Sequence, residues 1–539
     1  HLLKPNKWYH VTISNRGNRV TYTIDGERIV DFRDPNPLTS GWFGFRTTLS
    51  RTRFANYKAT PHHTTDFPIS VRWIGDTPSS PTPTTWGVPF ARGQVQPGQH
   101  FTLTDADRTI SDHDFRPLAY WPDGSVKWGA FSAVIPGGAE SVAIAPASNR
   151  GSTAAGVTAN GNSDSGYTID TGTFKAYLGG RGSDAILDSI TIGGKKVAGK
   201  ANIIANTRTP TSTGYIIGNF SSHIDTIYIE TPGHAHTVAR IDGHCTDGNR
   251  HWLPFTIRLY FYAGSDRIKA VHTMMYDGDD ATDFISGVGL RFMVPMADQT
   301  YNRHVAFTTA EGGVWEEAVQ PLVGRRVLKL ENENMQPRQY DGQRIPDPEA
   351  FDEKGRRLID NWAAWDSYRM SQLSPDVYTI RKRATSDSPW IGTHSGHRGS
   401  GFCYLGDPEA ALAVGLHDFW QSYPSTLQVD GARSEEATLT VWLWSPEAEP
   451  MDLRHYDTVA HDLDASYEDV QEGMSTPYGI ARTSELTIMP IRNDGSQAFG
   501  SREQLVSIAN ELTSAPQLCC TPEYLHARRA FGVWSLPDT

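Results

Sequence analysis

The chain of 539 residues has few cysteines, no excess of positive charge and no long apolar run. Each shortage removes a class of protein. Cys245, Cys403, Cys519 and Cys520 are its only cysteines, and their spacing fits no zinc-ligand pattern. One or two disulfides would suit that count without being required. Basic side chains number 49 against 61 acidic ones, a net charge of −12, which disfavours a nucleic-acid partner. An acidic polymer would be repelled at long range, so a locally basic cleft would have to hold it. No apolar run approaches the roughly 18 residues of a membrane span, so no membrane partner is expected. No internal repeat is visible. The chain opens on His1 with no visible signal peptide, and Asn219-Phe220-Ser221 is a glycosylation sequon. These features fit an exported, already processed protein, so secretion to an extracellular location is expected.

What is present is core material patterned for strands. Apolar content of 38% and aromatic content of 11% suffice for about three domains. Residues 1–60 alternate with period two around an Asp25-Gly26 turn and read as part of a concanavalin-like jelly roll. Expected strands there include Gly41–Arg46 and Thr52–Tyr57. Residues 61–150, with a Pro122-Asp123-Gly124 turn, read as a small β-barrel domain. Residues 151–490 carry many short strands between Gly/Asp turns, the pattern of a large antiparallel β-sandwich. Within them, 349–370 has helical character, with Trp362 and Trp365 on one face. Residues 491–539 read as the start of a helical region, with Ser501 as an N-cap before Arg502. The fold class is therefore mainly β.

The chemistry is concentrated between Gly396 and Glu485, where strand-like runs end in aromatic, imidazole and guanidinium groups. His394, His397 and Arg398 lie in a glycine-rich segment that lets backbone bend around a ligand. His417, Trp420 and Tyr423 form an aromatic run suited to stacking on pyranose faces. Arg454, His455 and Tyr456 follow one strand, and Tyr478 and Arg482 flank another. An acidic glycan is the substrate class these groups suit. Its β-elimination requires a uronate carboxylate neutralised by arginine, a base for the C5 proton and an acid for the leaving oxygen. Arg398, Arg454 and Arg482 are candidates to neutralise. His394, His397, Tyr456 and Tyr478 are candidates for proton transfer, and His417, Trp420, Tyr423 and His455 for substrate binding. Asp418, Asp452, Glu468 and Glu485 keep a paired-carboxylate hydrolase open. No metal is required. Calcium is considered only near Asp277, Asp279, Asp280 and Asp283, and His234 with His236 is a weaker i, i+2 metal pair.

Several motifs resemble the exo-acting rhamnogalacturonan lyase family, polysaccharide lyase family 26. They are Trp86-Gly-Val-Pro-Phe-Ala-Arg-Gly, Leu118-Ala-Tyr-Trp-Pro-Asp-Gly-Ser-Val-Lys-Trp, Arg258-Leu-Tyr-Phe-Tyr-Ala-Gly-Ser and His417-Asp-Phe-Trp-Gln-Ser-Tyr-Pro. Ser445-Pro-Glu-Ala-Glu-Pro-Met-Asp-Leu-Arg and Tyr478-Gly-Ile-Ala-Arg-Thr continue the series, in the family's order over roughly 68–537. The resemblance implies a barrel, a central sandwich and then an α/α toroid, with release of an unsaturated galacturonosyl-rhamnose unit from pectin. The toroid would start near Phe531 and is absent from this sequence, so a second polypeptide carrying it is an expected partner. Runner-up readings are a rhamnosyl-glucuronate lyase, a glycoside hydrolase of the same fold, and a non-catalytic glycan-binding protein.

Overall fold

In the computed structural model the described residues are 4–16, 18–36, 52–57, 67–106, 108–149, 156–454, 477–514, 516–529 and 531–532. Near the N-terminus, Val11–Arg16, Arg19–Ile24 and Glu27–Arg33 pair as an antiparallel meander. Its turn is Asp25-Gly26, with φ of 49° and 86°, the two left-handed conformations a tight hairpin turn requires. Of the further strands expected here, residues 52–57 are irregular and 41–46 lie outside the described residues.

The second unit begins at Ile69–Ile74, whose Ile69, Val71 and Trp73 point inward at every second position. This strand pairs with Ser141–Ala147, which pairs with His100–Asp105. Thr82–Pro89, Val126–Ile135 and His113–Tyr120 form a separate three-stranded sheet. The core holds Trp86, Phe90, Phe101, Phe115 and Phe131, with ring centroids 4.7 to 6.2 Å apart. Gly129 makes room for them: a Cβ there would lie 2.3 Å from the Phe115 ring.

The outer strand of this unit comes from the far end of the chain. Gln517–Cys520 pairs antiparallel with Ile69–Ile74 and buries Leu518 and Cys520 in the same core. The tail is thus not purely helical as expected. It runs helix Arg502–Thr513, strand, helix Pro522–Arg528, and a four-residue strand is too short to reveal its period in sequence. Ser501 does cap the first helix, its side chain accepting from Gln504 N. The helix expected over 349–370 shrinks to Glu353–Asn361. Beyond it, Ser367–Gln372 is a strand that buries Tyr368 and Met370, so Trp362 and Trp365 share no helix face.

The third unit is a sixteen-stranded, nearly closed antiparallel sheet. Its middle runs Ala410–Leu416, Ala481–Arg492, Ile268–Met275, His251–Tyr262, His236–Thr246, Gly214–Thr231, Ala201–Thr211 and Ile285–Pro295. It continues through Glu436–Trp444, Ser425–Asp430, Ser367–Gln372 and Tyr378–Arg383 to the edge strand Ile391–Gly396. Alternation sends Ile241, Ile257, Leu259, Ile268, Ala270, Leu486 and Ile488 into one apolar core. Asp114 joins the second unit to the third, accepting from the backbone N–H of His234, Ala235 and His236 at 3.2, 2.7 and 2.9 Å. All four cysteines are unpaired thiols, so the disulfides allowed by the count do not form. Burial pushes the Cys245 and Cys520 thiols up to about 12.

Leu518→Ala is expected to destabilise the barrel by about 2–5 kcal/mol. Denaturant titration should show an earlier unfolding transition, and an unchanged profile would remove the closing role given to Gln517–Cys520.

Candidate functional site

The sheet positions opposite the core carry a polar stripe that crosses neighbouring strands. Arg240 and Arg258 stand directly opposite in the ladder, where like charges repel. Glu230 relieves this by accepting from Arg258 Nε and Nη2 at 2.7 and 2.9 Å and from Arg240 Nη1 at 3.3 Å. Asp242 takes Arg240 Nε at 3.0 Å and the Thr256 hydroxyl at 2.6 Å. The Arg258 bonds, against the cost of burial, hold the Glu230 carboxyl below its usual range.

One strand further, Lys269 Nζ lies 2.6 Å from Glu485 Oε1 and 5.8 Å from the Tyr260 ring centre. His417 brings Nδ1 to 3.2 Å from the same Glu485 oxygen and Nε2 to 3.1 Å from the Thr487 hydroxyl. Burial opposes ionisation of Glu485, but contacts with His417 and Lys269 outweigh it and hold the carboxyl down to about 2. Tyr260 is shifted the other way, raised by burial against the pull of Arg258. Amine, phenol, imidazole and guanidinium groups thus share one outward patch. They can move protons and bind a carboxylate.

Beyond it, Asn202, Asn206, Asn219, Ser221, Thr246 and Arg291 line a cavity of about 590 Å³. Amides and hydroxyls at this density suit a hydroxyl-rich ligand, and Asn219 of the sequon belongs to this wall. Arg291 Nε donates to Thr440 Oγ1 at 3.3 Å, and in the ladders Arg291, Thr440, Gln428, Arg369 and Arg381 succeed one another across strands. Arg369 and Arg381 share Glu447 at 2.8 and 2.7 Å, while Arg369 and Arg383 sit 3.8 and 4.5 Å from the Trp390 ring centre. Guanidiniums outnumber carboxylates here, whereas those of the Arg258 patch are each paired.

The family model described as "PcRGLX-like protein central beta sandwich domain" matches residues 157–507, and that for the "PcRGLX-like N-terminal RIFT barrel domain" matches 68–147. The chain belongs to the PcRGLX-like family. This is a rhamnogalacturonan lyase-like group, in line with the resemblance of the sequence. A "domain of unknown function (DUF6250)" model matches 1–57. The relative "Uncharacterized protein YetA" of Bacillus subtilis (strain 168) is 32% identical over 477 residues, 87% of this chain. The chain spans 54% of that relative's length. Two solved structures align with it at low sequence identity. An alpha-mannosidase from Enterococcus faecalis V583 aligns at TM-score 0.44 and 8% identity, covering 85% of this chain and 46% of its own. A putative aldose 1-epimerase from Escherichia coli K12 aligns at 0.28 and 10%, covering 62% and 100%. Likeness at this level bears on neither reaction nor ligand.

In this PcRGLX-like chain the residues singled out from sequence fall in several places. Among the described residues, His417 and Glu485 join the Arg258 patch. His394 lies on the edge strand Ile391–Gly396, with Nε2 3.1 Å from the Tyr378 hydroxyl, and His397 Nε2 is 3.6 Å from Asp376. Arg398 lies 4.0 Å from the centre of the Trp420 ring, so those two do meet. Arg482 turns to the core side, donates to Ser422 O at 2.8 Å, and has its pKa lowered by burial. It anchors the loop that carries Trp420 and Tyr423. Arg454 forks onto Asp452 at 2.6 Å, Tyr478 and Tyr423 are exposed, and His455, Tyr456 and Glu468 lie outside the described residues. Around the acidic loop, Asp277 accepts from Leu253 N, Asp279 from Ala281 N, and Asp283 from the Arg250 guanidinium. His236 is buried against Tyr260 and Tyr262, burial taking its pKa down to about 4, while His234 points to Asp112. The pair therefore has no common ligand direction.

Glu485→Gln tests the stripe's electrostatics. The folded carboxyl sits at about 2 against 4.5 when unperturbed, so its contribution to stability is present above 4.5 and fades as pH falls toward 2. Wild type and variant should differ in denaturation midpoint at neutral pH and converge near pH 2. A gap independent of pH would contradict the ion-pair account.

Proposed function

We propose that this chain is the barrel-and-sandwich portion of a lyase that cleaves rhamnose- and uronate-containing polysaccharides by β-elimination. The substrate is of the pectic rhamnogalacturonan type, attacked from chain ends outside the cell. The observation that carries this reading is an outward patch of Arg258, Tyr260, Lys269 and His417 in a member of a rhamnogalacturonan lyase-like family. A guanidinium there would neutralise the uronate, and phenol, amine and imidazole would handle the two protons. The amide-lined cavity would hold flanking sugars, with Arg291 meeting a further carboxylate. An α/α toroid facing the sheet, in this polypeptide or a second one, would complete the cleft.

Hydrolysis is less well served on this face. An inverting or retaining hydrolase needs one carboxyl kept protonated by its surroundings. Glu230 and Glu485 are both shifted toward the ionised form instead.

Full-length protein given rhamnogalacturonan should generate the ultraviolet absorbance of a conjugated uronate, with products one water lighter than hydrolysis gives. Tyr260→Phe and Lys269→Ala should each lower kcat by about 10²–10⁴-fold. Arg291→Ala should act mainly on KM. Hydrolytic product masses, or full turnover by both Tyr260→Phe and Lys269→Ala, would overturn the reading.

A further inference from the structure

Three imidazoles and a carboxylate meet on the outward face where Gly214–Thr231, His236–Thr246 and His251–Tyr262 run side by side. His223 and His244 are directly opposite in the ladder, their ring centroids 5.0 Å apart. His251 pairs with Thr246, two residues along from His244, and its ring lies 4.4 Å from that of His244. The carboxylate arrives through a β-bulge. The register passes from Ile224 against Gly243 to Thr226 against Asp242, leaving Asp225 as the extra residue. His244 Nδ1 is 2.9 Å from Asp225 Oδ2, and His244 Nε2 contacts His251 Nδ1. One nitrogen each of His223 and His244 and one Asp225 oxygen all lie within 4.8 Å of one another.

We propose that His223, His244 and Asp225 bind a divalent transition-metal ion of the zinc class, His244 through Nδ1. His251 is a positioning residue: it accepts the His244 Nε2–H and so fixes the tautomer that leaves Nδ1 free for the metal. Two imidazoles with one carboxylate select such an ion over calcium or magnesium, which prefer all-oxygen shells. A tetrahedral ion with bonds near 2.0–2.1 Å places its ligand atoms roughly 3.4 Å apart, so small side-chain rotations close the set. Three protein ligands leave a coordination position open. Ser221 and Thr246, each two residues from a ligand along its own strand, line the amide-rich cavity, so that position borders a pocket for oxygen-rich ligands. The site rests on these side chains alone and stands whether or not the lyase reading does.

The test is metal binding by untagged, chelator-treated protein, followed by zinc calorimetry and by the visible absorption of the cobalt(II) form. One equivalent is expected, with a cobalt spectrum of low coordination number. His223→Ala and His244→Ala should abolish it, and Asp225→Asn should weaken it. His251→Ala should lower affinity by about 10–100-fold while keeping the cobalt spectrum. Circular dichroism of the metal-free variants checks folding, and Asp225→Asn and His251→Ala, being the mildest changes, carry the test if the others misfold. No stoichiometric uptake by the wild type, or uptake unchanged in His223→Ala/His244→Ala or in both mild variants, would overturn the proposal.

Discussion

A strand has two faces, and the sixteen-stranded sheet gives one of them to a single apolar core. Everything on the other face follows from that division. Leu486 and Ile488 face inward, so Glu485 and Thr487 face outward. Ile257 and Leu259 do the same for Arg258 and Tyr260, and Ile268 and Ala270 for Lys269. A slip of one residue in any of these strands would bury a charge and expose a core residue. Fixing the core thereby fixes which polar groups meet, and the stripe needs no separate framework.

The stripe is also ordered by its own charges. Each guanidinium in the Arg258 patch has a carboxylate partner, and Glu230 serves two of them. Exposed pairs of this kind contribute little to stability. Their effect is geometric: they hold long side chains in set directions, which is what recognition of a planar carboxylate demands. In the Arg369, Arg381 and Arg383 group, Glu447 holds the first two and the Trp390 ring the first and third, the same device with fewer anions.

The mainly β character, the Asp25-Gly26 hairpin, the Ser501 cap and the family were legible because each depends on local pattern or on motifs read in order. The patch was not. Arg258, Tyr260 and Lys269 alternate with apolar residues as any half-buried strand does, and only the ladder shows that Glu230 and Glu485 lie beside them. Aromatic and basic residues at strand ends drew attention to His394, His397 and Arg398, whereas the structure puts His394 on the edge strand and the other two just past its end. His223 and His244, separated by twenty residues of hairpin, meet only through register. The bulge that delivers Asp225 has no sequence signature. Arg482 misled for a simple reason: a charged residue near a strand start can face either side, and burial decides which.

The strand Gln517–Cys520 carries one more implication. The sandwich is effectively an insertion within the barrel, since Ile69–Ile74 waits for a partner that lies beyond all sixteen sandwich strands. During synthesis on the ribosome, that edge emerges ahead of the sandwich and stays unsatisfied until every sandwich strand has followed it. Its apolar face, with Val71 and Trp73, is an invitation to wrong partners during that interval. The barrel begins before the sandwich and is closed only after it, so its completion can act as a seal on a correctly folded sandwich.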